Sequence, residues 1–225
     1  SDIVRVCKRY KVNVIDVTQD NAIEAGLVGK LIEQGFYVVG PTRVAGQIEW
    51  DKAWARNFMK KYNLPIPVYK VCKNKQEGLK FIRTHKNKKW FIKAAGLAEG
   101  KGAIPAVNKL EVISAIEQMS KFGKAGRIFV LEEWLEGEEF SMFAISDGKT
   151  FRIVGCAQDY KRLYEGDMGP NTGGIGCNTP ALVVDKNIYK QAELIVETTL
   201  SGLTQEGRIY KGILYLGAIV VRGKV

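Results

Sequence analysis

The residues with the clearest chemical potential lie between positions 158 and 176. This segment begins Gln158-Asp159-Tyr160-Lys161-Arg162 and ends Gly169-Pro170-Asn171-Thr172-Gly173-Gly174-Ile175-Gly176. Two adjacent cations can hold a phosphate group, and glycines let a backbone approach a ligand closely. A loop that only connects two elements needs neither feature. The sequence therefore predicts a substrate-binding loop here.

A second glycine-rich segment, residues 96–102, follows Lys93 and reads Gly-Leu-Ala-Glu-Gly-Lys-Gly. A glycine-rich turn between two strands can lie over phosphates and donate backbone N–H groups to them, and Lys101 adds a positive charge. The segment lacks the spacing of a Walker A loop, and no helix follows it. A plain glycine hairpin without a ligand is the alternative at this point.

An apolar strand runs into a cluster of acids over residues 130–139. The acids are Glu132, Glu133, Glu136, Glu138 and Glu139. One interpretation is a charged sheet edge or hairpin. The other is a nucleotide hinge, in which backbone groups of Trp134 and Leu135 bind the adenine edge and a carboxylate binds the ribose hydroxyls.

Length and composition fit one large or two small cytoplasmic domains. The chain has 225 residues, 46% of them hydrophobic, and no apolar run near the roughly 20 residues of a membrane span. It starts without an apolar signal region, and its cysteines form no CxxC pair, which favours free thiols in a reducing compartment. The net charge of +10 fits a solvated basic surface or a phosphate-bearing partner. Nucleic-acid binding is not predicted, because the basic run 83–89 has no interleaved aromatic residues.

The hydrophobic patterns predict an α/β part followed by an α+β part. Strands at 12–17 and 36–39 with a helix at 21–34 between them have the rhythm of a parallel sheet. A single long helix is predicted from 44 to 62, with Trp50, Trp54 and Phe58 as an apolar core stripe, and a proline-containing break follows it.

The rest of the chain predicts a small α+β unit and a larger core. The small unit has strands at 68–72, 90–94, 103–107 and 127–133 and helices at 76–84 and 108–122. A hairpin of 140–145 and 151–157, a helix at 185–203 and a strand region at 210–221 follow. The predicted divisions are the remainder of an N-terminal βαβ domain (1–43), a connecting helix and linker (44–66), a small subdomain (67–133) and a larger core (134–225).

The order of these motifs resembles the ATP-grasp ligases and, within them, the phosphoribosylamine–glycine ligase family. The resemblance covers nearly the whole chain in unbroken order. Its most specific part is the segment 158–176, whereas the glycine-rich loop is shared by many ATP-grasp relatives. The other matching pieces are Gly40-Pro41-Thr42, Asp51-Lys52-Ala53 and residues 91–94, 96–102, 132–139 and 210–217.

The resemblance implies an ATP-grasp fold preceded by the end of a Rossmann-like (pre-ATP-grasp) domain. It implies that ATP, glycine and 5-phosphoribosylamine give glycinamide ribonucleotide, ADP and phosphate, an early step of purine synthesis. ATP and Mg²⁺ (or Mn²⁺) are the expected cofactors, glycine and 5-phosphoribosylamine the expected partners, and a monomer the expected state of the parent enzyme. The alternatives are another ATP-grasp carboxylate–amine ligase and a truncated ATP-binding module without turnover.

The same resemblance assigns roles to individual residues. The expected nucleotide-binding set is Lys52, Lys93, Gly100, Lys101, Gly102, Glu132, Glu133, Trp134, Leu135, Glu139 and Arg162. Lys101 and Arg162 are the expected catalytic cations. The expected substrate-binding set is Asp20, Asp159, Asn171, Thr172, Gly173 and Gly174.

The chain departs from the family pattern at a few positions. Gln19-Asp20 replaces the family's Pro-Glu, so the acid is one carbon shorter, and Tyr160 stands where the family usually has His. The family's metal-binding Glu and Asn would come after Val225. No metal ligand is therefore predicted within this sequence.

Overall fold

The computed structural model describes residues 2–85, 89–98, 101–166 and 168–225, with the backbone alone at positions 162, 170, 171 and 173. Its strands form a small two-stranded sheet and two four-stranded sheets. Helices pack against all of these sheets, and the described part of the chain has separate apolar clusters in the N-terminal part, around the first four-stranded sheet and around the second.

The N-terminal part has the predicted βαβ rhythm. Its elements are α1 (Asp2–Arg9), β1 (Val14–Asp16), α2 (Asp20–Glu24), α3 (Leu27–Glu33) and β2 (Tyr37–Val39), and the two strands pair in parallel. The single helix expected at 21–34 is wrong, because Gly26 has a left-handed conformation with φ of 75° and divides it. Ile23, Val28 and Leu31 from the two helices are buried together.

The long helix expected at 44–62 is also divided. The structure has α4 (Gln47–Trp50) and α5 (Lys52–Lys61), and Asp51 between them has extended backbone angles. The Asp51 carboxylate accepts a hydrogen bond of 3.0 Å from the Trp54 N–H, so it caps α5. The aromatic stripe is divided as well: Trp50 packs in the N-terminal cluster, whereas Trp54 stacks on Phe58 in the larger core.

The small α+β unit is confirmed. Strands β3 (Tyr69–Cys72), β4 (Trp90–Ala94), β5 (Ala103–Ala106) and β6 (Phe129–Glu133) form a sheet in the order β3-β6-β4-β5. Helices α6 (Lys75–Thr84) and α7 (Lys109–Gln118) pack on it, and Asn108 caps α7 as predicted. The helix predicted to reach residue 122 changes at Met119 to a 3-10 segment, Met119–Gly126.

The second four-stranded sheet has the order β10-β7-β8-β9. Its elements are β7 (Glu138–Ser146), β8 (Phe151–Tyr164), β9 (Met168–Asn178), helix α8 (Lys186–Gln205), which Asp185 caps, and β10 (Gly212–Val220). The expected loop at 169–176 is instead strand β9, which pairs with the long strand β8. Extended backbone is open to glycine and threonine alike, and the extra length of β8 provides a partner strand.

Two glycines join the N-terminal part to the second four-stranded sheet. Gly40 has φ of 145°, and a Cβ there would lie 2.7 Å from the Val17 carbonyl oxygen. Gly212, at the start of β10, has φ of 121° and would place a Cβ 2.9 Å from the Gly40 Cα. Only a residue without a side chain fits this contact.

Replacing Gly40 by Ala is expected to destabilise the protein by more than about 1 kcal/mol, because the methyl group meets backbone at a φ that L-residues disfavour. Gly29→Ala is the matched control, since its Cβ would meet nothing within 4 Å in helix α3, and it should stabilise by roughly 0.5–1 kcal/mol. Urea unfolding measures both. Equal stability of the two variants would contradict this packing.

Candidate functional site

The predicted site residues Lys93 and Glu132 form the centre of a buried charge cluster. Lys93 Nζ lies 2.9 Å from Glu132 Oε2. Arg56, which the sequence did not indicate, reaches from α5 and places Nη2 2.5 Å from Glu132 Oε1. The Glu132 side chain is only 7% exposed. Burial opposes its charge, but Lys93 and then Arg56 outweigh that effect and hold the pKa of Glu132 below its usual range.

Lys52 lies beside this cluster as the first residue of α5. Burial lowers its pKa and nearby Lys93 lowers it further, whereas Asp20, Asp51 and Glu132 act in the opposite direction. Lys52 has no ion-pair partner among the residues that the structure describes. A partly buried cation in this position favours an anionic ligand.

The glycine-rich segment connects the antiparallel strands β4 and β5, as predicted, and its described residues are 96–98, 101 and 102. Hydrogen bonds at both of its ends hold it: Ala94 N–H donates to the Gly102 carbonyl at 2.7 Å, and Lys52 N–H donates to the Ala95 carbonyl at 2.8 Å. The second bond joins the start of α5 to the turn. Lys101 is exposed, and Gly100 lies outside the described residues. The turn and the cation cluster are therefore neighbours in the fold.

Of the two predicted hinge residues after β6, Trp134 and Leu135, one has a backbone N–H without an acceptor among the described residues. The Trp134 N–H donates to the Lys89 carbonyl at 2.9 Å and is therefore already used. The Leu135 N–H has no acceptor within the described parts of the chain. Trp134 also packs against Phe91, with 4.9 Å between the ring centroids. A cavity of about 510 Å³ lies between this hinge and the end of β10, and Leu135 and Arg222 line it.

A second polar cluster lies at the ends of strands β7 and β8. Lys161 Nζ is 3.2 Å from Glu139 Oε2 and 3.8 Å from Asp159 Oδ2. Burial opposes the charge of Lys161, but Glu139 foremost and Asp159 keep its pKa above the usual value. Lys161 was not assigned a role from the sequence, although it is one of the two adjacent cations there.

The predicted substrate residues of β8 and β9 meet at Asp159. A Cβ on Gly174 would lie 3.0 Å from Asp159 Oδ1, so this glycine backbone packs directly against the carboxylate. The Thr172 hydroxyl accepts a hydrogen bond of 3.1 Å from the Gly174 N–H. The side chains of Arg162 and Asn171 lie outside the described part of the chain.

A third group, on the other side of Lys52, contains Asp20 and two residues that the sequence did not indicate. Partial burial raises the pKa of Asp20, while Lys52 acts against that shift. The Tyr210 hydroxyl donates to the Glu49 carboxylate and lies 3.0 Å from the Ile213 carbonyl oxygen. Burial raises the pKa of Glu49 to about 7. Burial, followed by Glu49, raises the pKa of Tyr210.

The described residues contain neither a candidate metal-binding group nor a candidate membrane-spanning helix. No group of three or more His, Cys, Asp or Glu side chains among them could hold a metal ion. No helix among them has the length and apolar character to cross a bilayer. A further cavity of about 710 Å³, lined by Lys75, Met119, Lys124 and their neighbours, contains none of the predicted site residues.

Comparison with solved structures identifies the class of fold. A biotin carboxylase from Campylobacter jejuni, crystallised as an ATP complex, superposes with a TM-score of 0.77 over 99% of this chain and 49% of its own, at 17% identity. A phosphoribosylamine–glycine ligase from Thermotoga maritima superposes with a TM-score of 0.75 over 83% of this chain and 48% of its own, at 34% identity. The chain has the ATP-grasp fold.

The sequence comparison is more specific. Residues 50–224 match the family described as phosphoribosylglycinamide synthetase, ATP-grasp (A) domain. A phosphoribosylamine–glycine ligase of Streptococcus pyogenes serotype M1 is 37% identical over 98% of this chain and 53% of its own length. The chain belongs to the phosphoribosylglycinamide synthetase ATP-grasp domain family, and it spans about half the length of the curated ligases that it matches.

Replacing Glu49 by Gln is expected to remove a pH dependence of stability. The pKa of Glu49 rises on folding from 4.5 to about 7, so the folded state holds the proton more tightly. The resulting stabilisation is complete below pH 4.5 and is lost as the pH rises through 7. A shift of this size corresponds to roughly 3 kcal/mol at most.

Urea unfolding of both proteins at about pH 5 and pH 8 tests this. The unsubstituted chain should lose more stability between these values than Glu49→Gln, and the exposed acid change Glu33→Gln should follow the unsubstituted chain. The same pH dependence in Glu49→Gln would mean that Glu49 is ionised throughout.

Proposed function

We propose that the protein containing this chain is an ATP-dependent ligase that joins glycine to 5-phosphoribosylamine. Its products would be glycinamide ribonucleotide, ADP and phosphate, and it would act in the cytoplasm on small molecules, in purine synthesis. The observation that carries the proposal is the family match over residues 50–224. The partly buried cations beside the glycine-rich turn support the nucleotide half of the reaction.

The chemistry explains why ATP is needed. A carboxylate is a poor acyl donor, because its leaving group would be oxide. Transfer of the γ-phosphoryl group to the glycine carboxylate gives a mixed anhydride, glycyl phosphate, with phosphate as its leaving group. The amine nitrogen then attacks the acyl carbon, phosphate leaves with the bonding electrons, and the nitrogen loses a proton. Both steps collect negative charge on oxygen, so positioning and cations would supply most of the catalysis.

The nucleotide would lie between the two four-stranded sheets. Lys52 and Lys93 would contact its phosphates, with Lys101 and the turn glycines Gly100 and Gly102 above them. The free Leu135 N–H would donate to the adenine edge. Glu132 and Trp134 would help to form that adenine side, and Glu133 follows Glu132 at the end of β6.

The acceptor half would lie toward β8 and β9. Asp159 with residues 171–174 would line the glycine and product site, beside Glu139, which would bind the ribose hydroxyls of the nucleotide. Arg162 would reach the transferred phosphoryl group, and Asp20 would contact the phosphoribosylamine. Lys161, between Glu139 and Asp159, connects the two halves.

A divalent ion is the part of this chemistry that the described residues do not supply. Such an ion neutralises phosphate charge during phosphoryl transfer. Among the described residues, no group of three or more His, Cys, Asp or Glu side chains could hold such an ion.

The full-length protein is expected to form ADP only when glycine and 5-phosphoribosylamine are both supplied with Mg-ATP. A coupled assay that detects ADP measures this, with D-alanine and bicarbonate tested in place of glycine. ADP release with another carboxylate and none with glycine would favour a different ATP-grasp ligase. If the chain 1–225 alone binds nucleotide but releases no ADP, then it acts as a binding module and the turnover needs the rest of the protein.

Lys93→Met is expected to weaken ATP binding by about 10-fold or more, because a charge-assisted contact contributes roughly 1.5–3 kcal/mol. Lys70→Met is the matched control, since Lys70 is an exposed lysine of strand β3 in the same sheet. Calorimetry with a non-hydrolysable ATP analogue gives both affinities. Equal affinities for the two variants would place the phosphates elsewhere.

A further inference from the structure

Arg56 and Lys93 divide one buried carboxylate between them. Arg56 Nη2 lies 2.5 Å from Glu132 Oε1, and Lys93 Nζ lies 2.9 Å from Glu132 Oε2. Both cations are about one quarter exposed, at 22% and 25% of their side chains. Each is therefore close enough to solvent to meet a ligand, whereas Glu132 is not.

This sharing leaves positive charge for a ligand. A single carboxylate paired only with Lys93 would neutralise it, and the pair would carry no net charge. With the Arg56 guanidinium on the other oxygen, the trio carries one net positive charge beside Lys52, which has no ion-pair partner among the described residues. An arginine does not lose its proton in a protein, so the positive charge that Arg56 contributes does not depend on pH.

The position of Arg56 is fixed from both of its sides. On α5, its neighbours Ala55 and Phe58 are buried in the larger core. Ala53 of the same helix packs with Val130 of β6 and with Ala95, the residue after β4. The Arg56–Glu132 pair therefore connects a helix anchored in one core to strand β6 of the other sheet. The guanidinium also donates to Met59 Sδ at 3.0 Å, which holds it along the helix.

We propose that Arg56 is a positioning residue for nucleotide phosphate: it occupies one oxygen of Glu132, so that Lys93 keeps its charge and donors for the ligand. This inference rests on the proposed function, because it deepens the nucleotide half of the site. It predicts an effect on phosphate binding that is separate from any effect on adenine binding.

The test compares Arg56→Met with Arg56→Lys, which keeps the charge. The control is Lys61→Met, which removes an exposed lysine of the same helix, α5, that pairs with Glu206. Affinities for ADP and for adenosine are measured for each protein by calorimetry or ligand-observed NMR. A carboxyl-detected NMR titration of Glu132, without nucleotide, reports whether the Arg56 contact exists in solution.

Arg56→Met should weaken ADP binding by about tenfold, the size of one charge-assisted contact. The affinity of Arg56→Met for adenosine should stay within about twofold of that of the unsubstituted chain. Arg56→Lys should keep most of the ADP affinity of the unsubstituted chain. In Arg56→Met the pKa of Glu132 should rise, because burial is then opposed by Lys93 without Arg56.

Equal losses for ADP and adenosine would show that Arg56 only supports the fold, and would overturn the proposal. Unchanged ADP affinity or an unchanged Glu132 titration in Arg56→Met would overturn it as well. If Arg56→Met does not fold, Arg56→Gln is used for the same comparison. A different result would contradict the nucleotide half of the proposed function. In that case the unsubstituted chain does not bind ADP, although the pKa of Glu132 rises in Arg56→Met as expected.

Discussion

The Glu132 carboxylate is buried where a helix from one core crosses the end of a sheet in another, and a buried charge needs paired partners. Lys93 of β4 and Arg56 of α5 provide them, one on each oxygen. This requirement fixes the position of α5 against β4 and β6. It also brings Lys52, at the start of α5, to the glycine-rich turn. The crossing therefore places two candidate phosphate contacts, Lys52 and Lys93, close to each other.

The candidate site extends from this crossing in two directions. Toward β10 and the hinge, Leu135 lines a cavity, and toward β8 and β9, Lys161 joins Glu139 to Asp159. The strands and helices that carry these groups belong to different apolar clusters. A ligand that bridges them would therefore stabilise the arrangement of the two sheets as well as its own contacts.

Local patterns in the sequence predicted most elements, because strand alternation, glycine punctuation and capping residues act over a few positions. The prediction failed where a single residue changes the backbone, as at Gly26 and Asp51. It also failed at β9, because the extended form of 168–178 depends on the length of β8, which a local pattern does not contain. Long-range strand pairing is therefore the reason for the failure at β9.

The candidate site shows the same division between residues that local motifs predict and residues that only the fold brings together. Lys52, Lys93 and Glu132 were expected from motif order, and the structure brings them together. Arg56 was missed because a helical arginine is solvated by default, and its partner lies 76 residues away. Glu49 and Tyr210 were missed for the same reason, since they are separated by 161 residues. Only the fold distinguishes the Leu135 N–H, which has no acceptor among the described residues, from the Trp134 N–H, which donates to the Lys89 carbonyl.

The measurement that tests this account most directly is hydrogen exchange of the hinge amides by NMR, with and without ADP. Without nucleotide, the Leu135 amide should exchange quickly and the Trp134 amide slowly, because only Trp134 donates to a protein acceptor. Saturating ADP should slow the Leu135 amide strongly and change Trp134 little. If ADP binds and the Leu135 amide exchanges as quickly as before, the nucleotide does not lie at this hinge, and the assignment of the site is wrong.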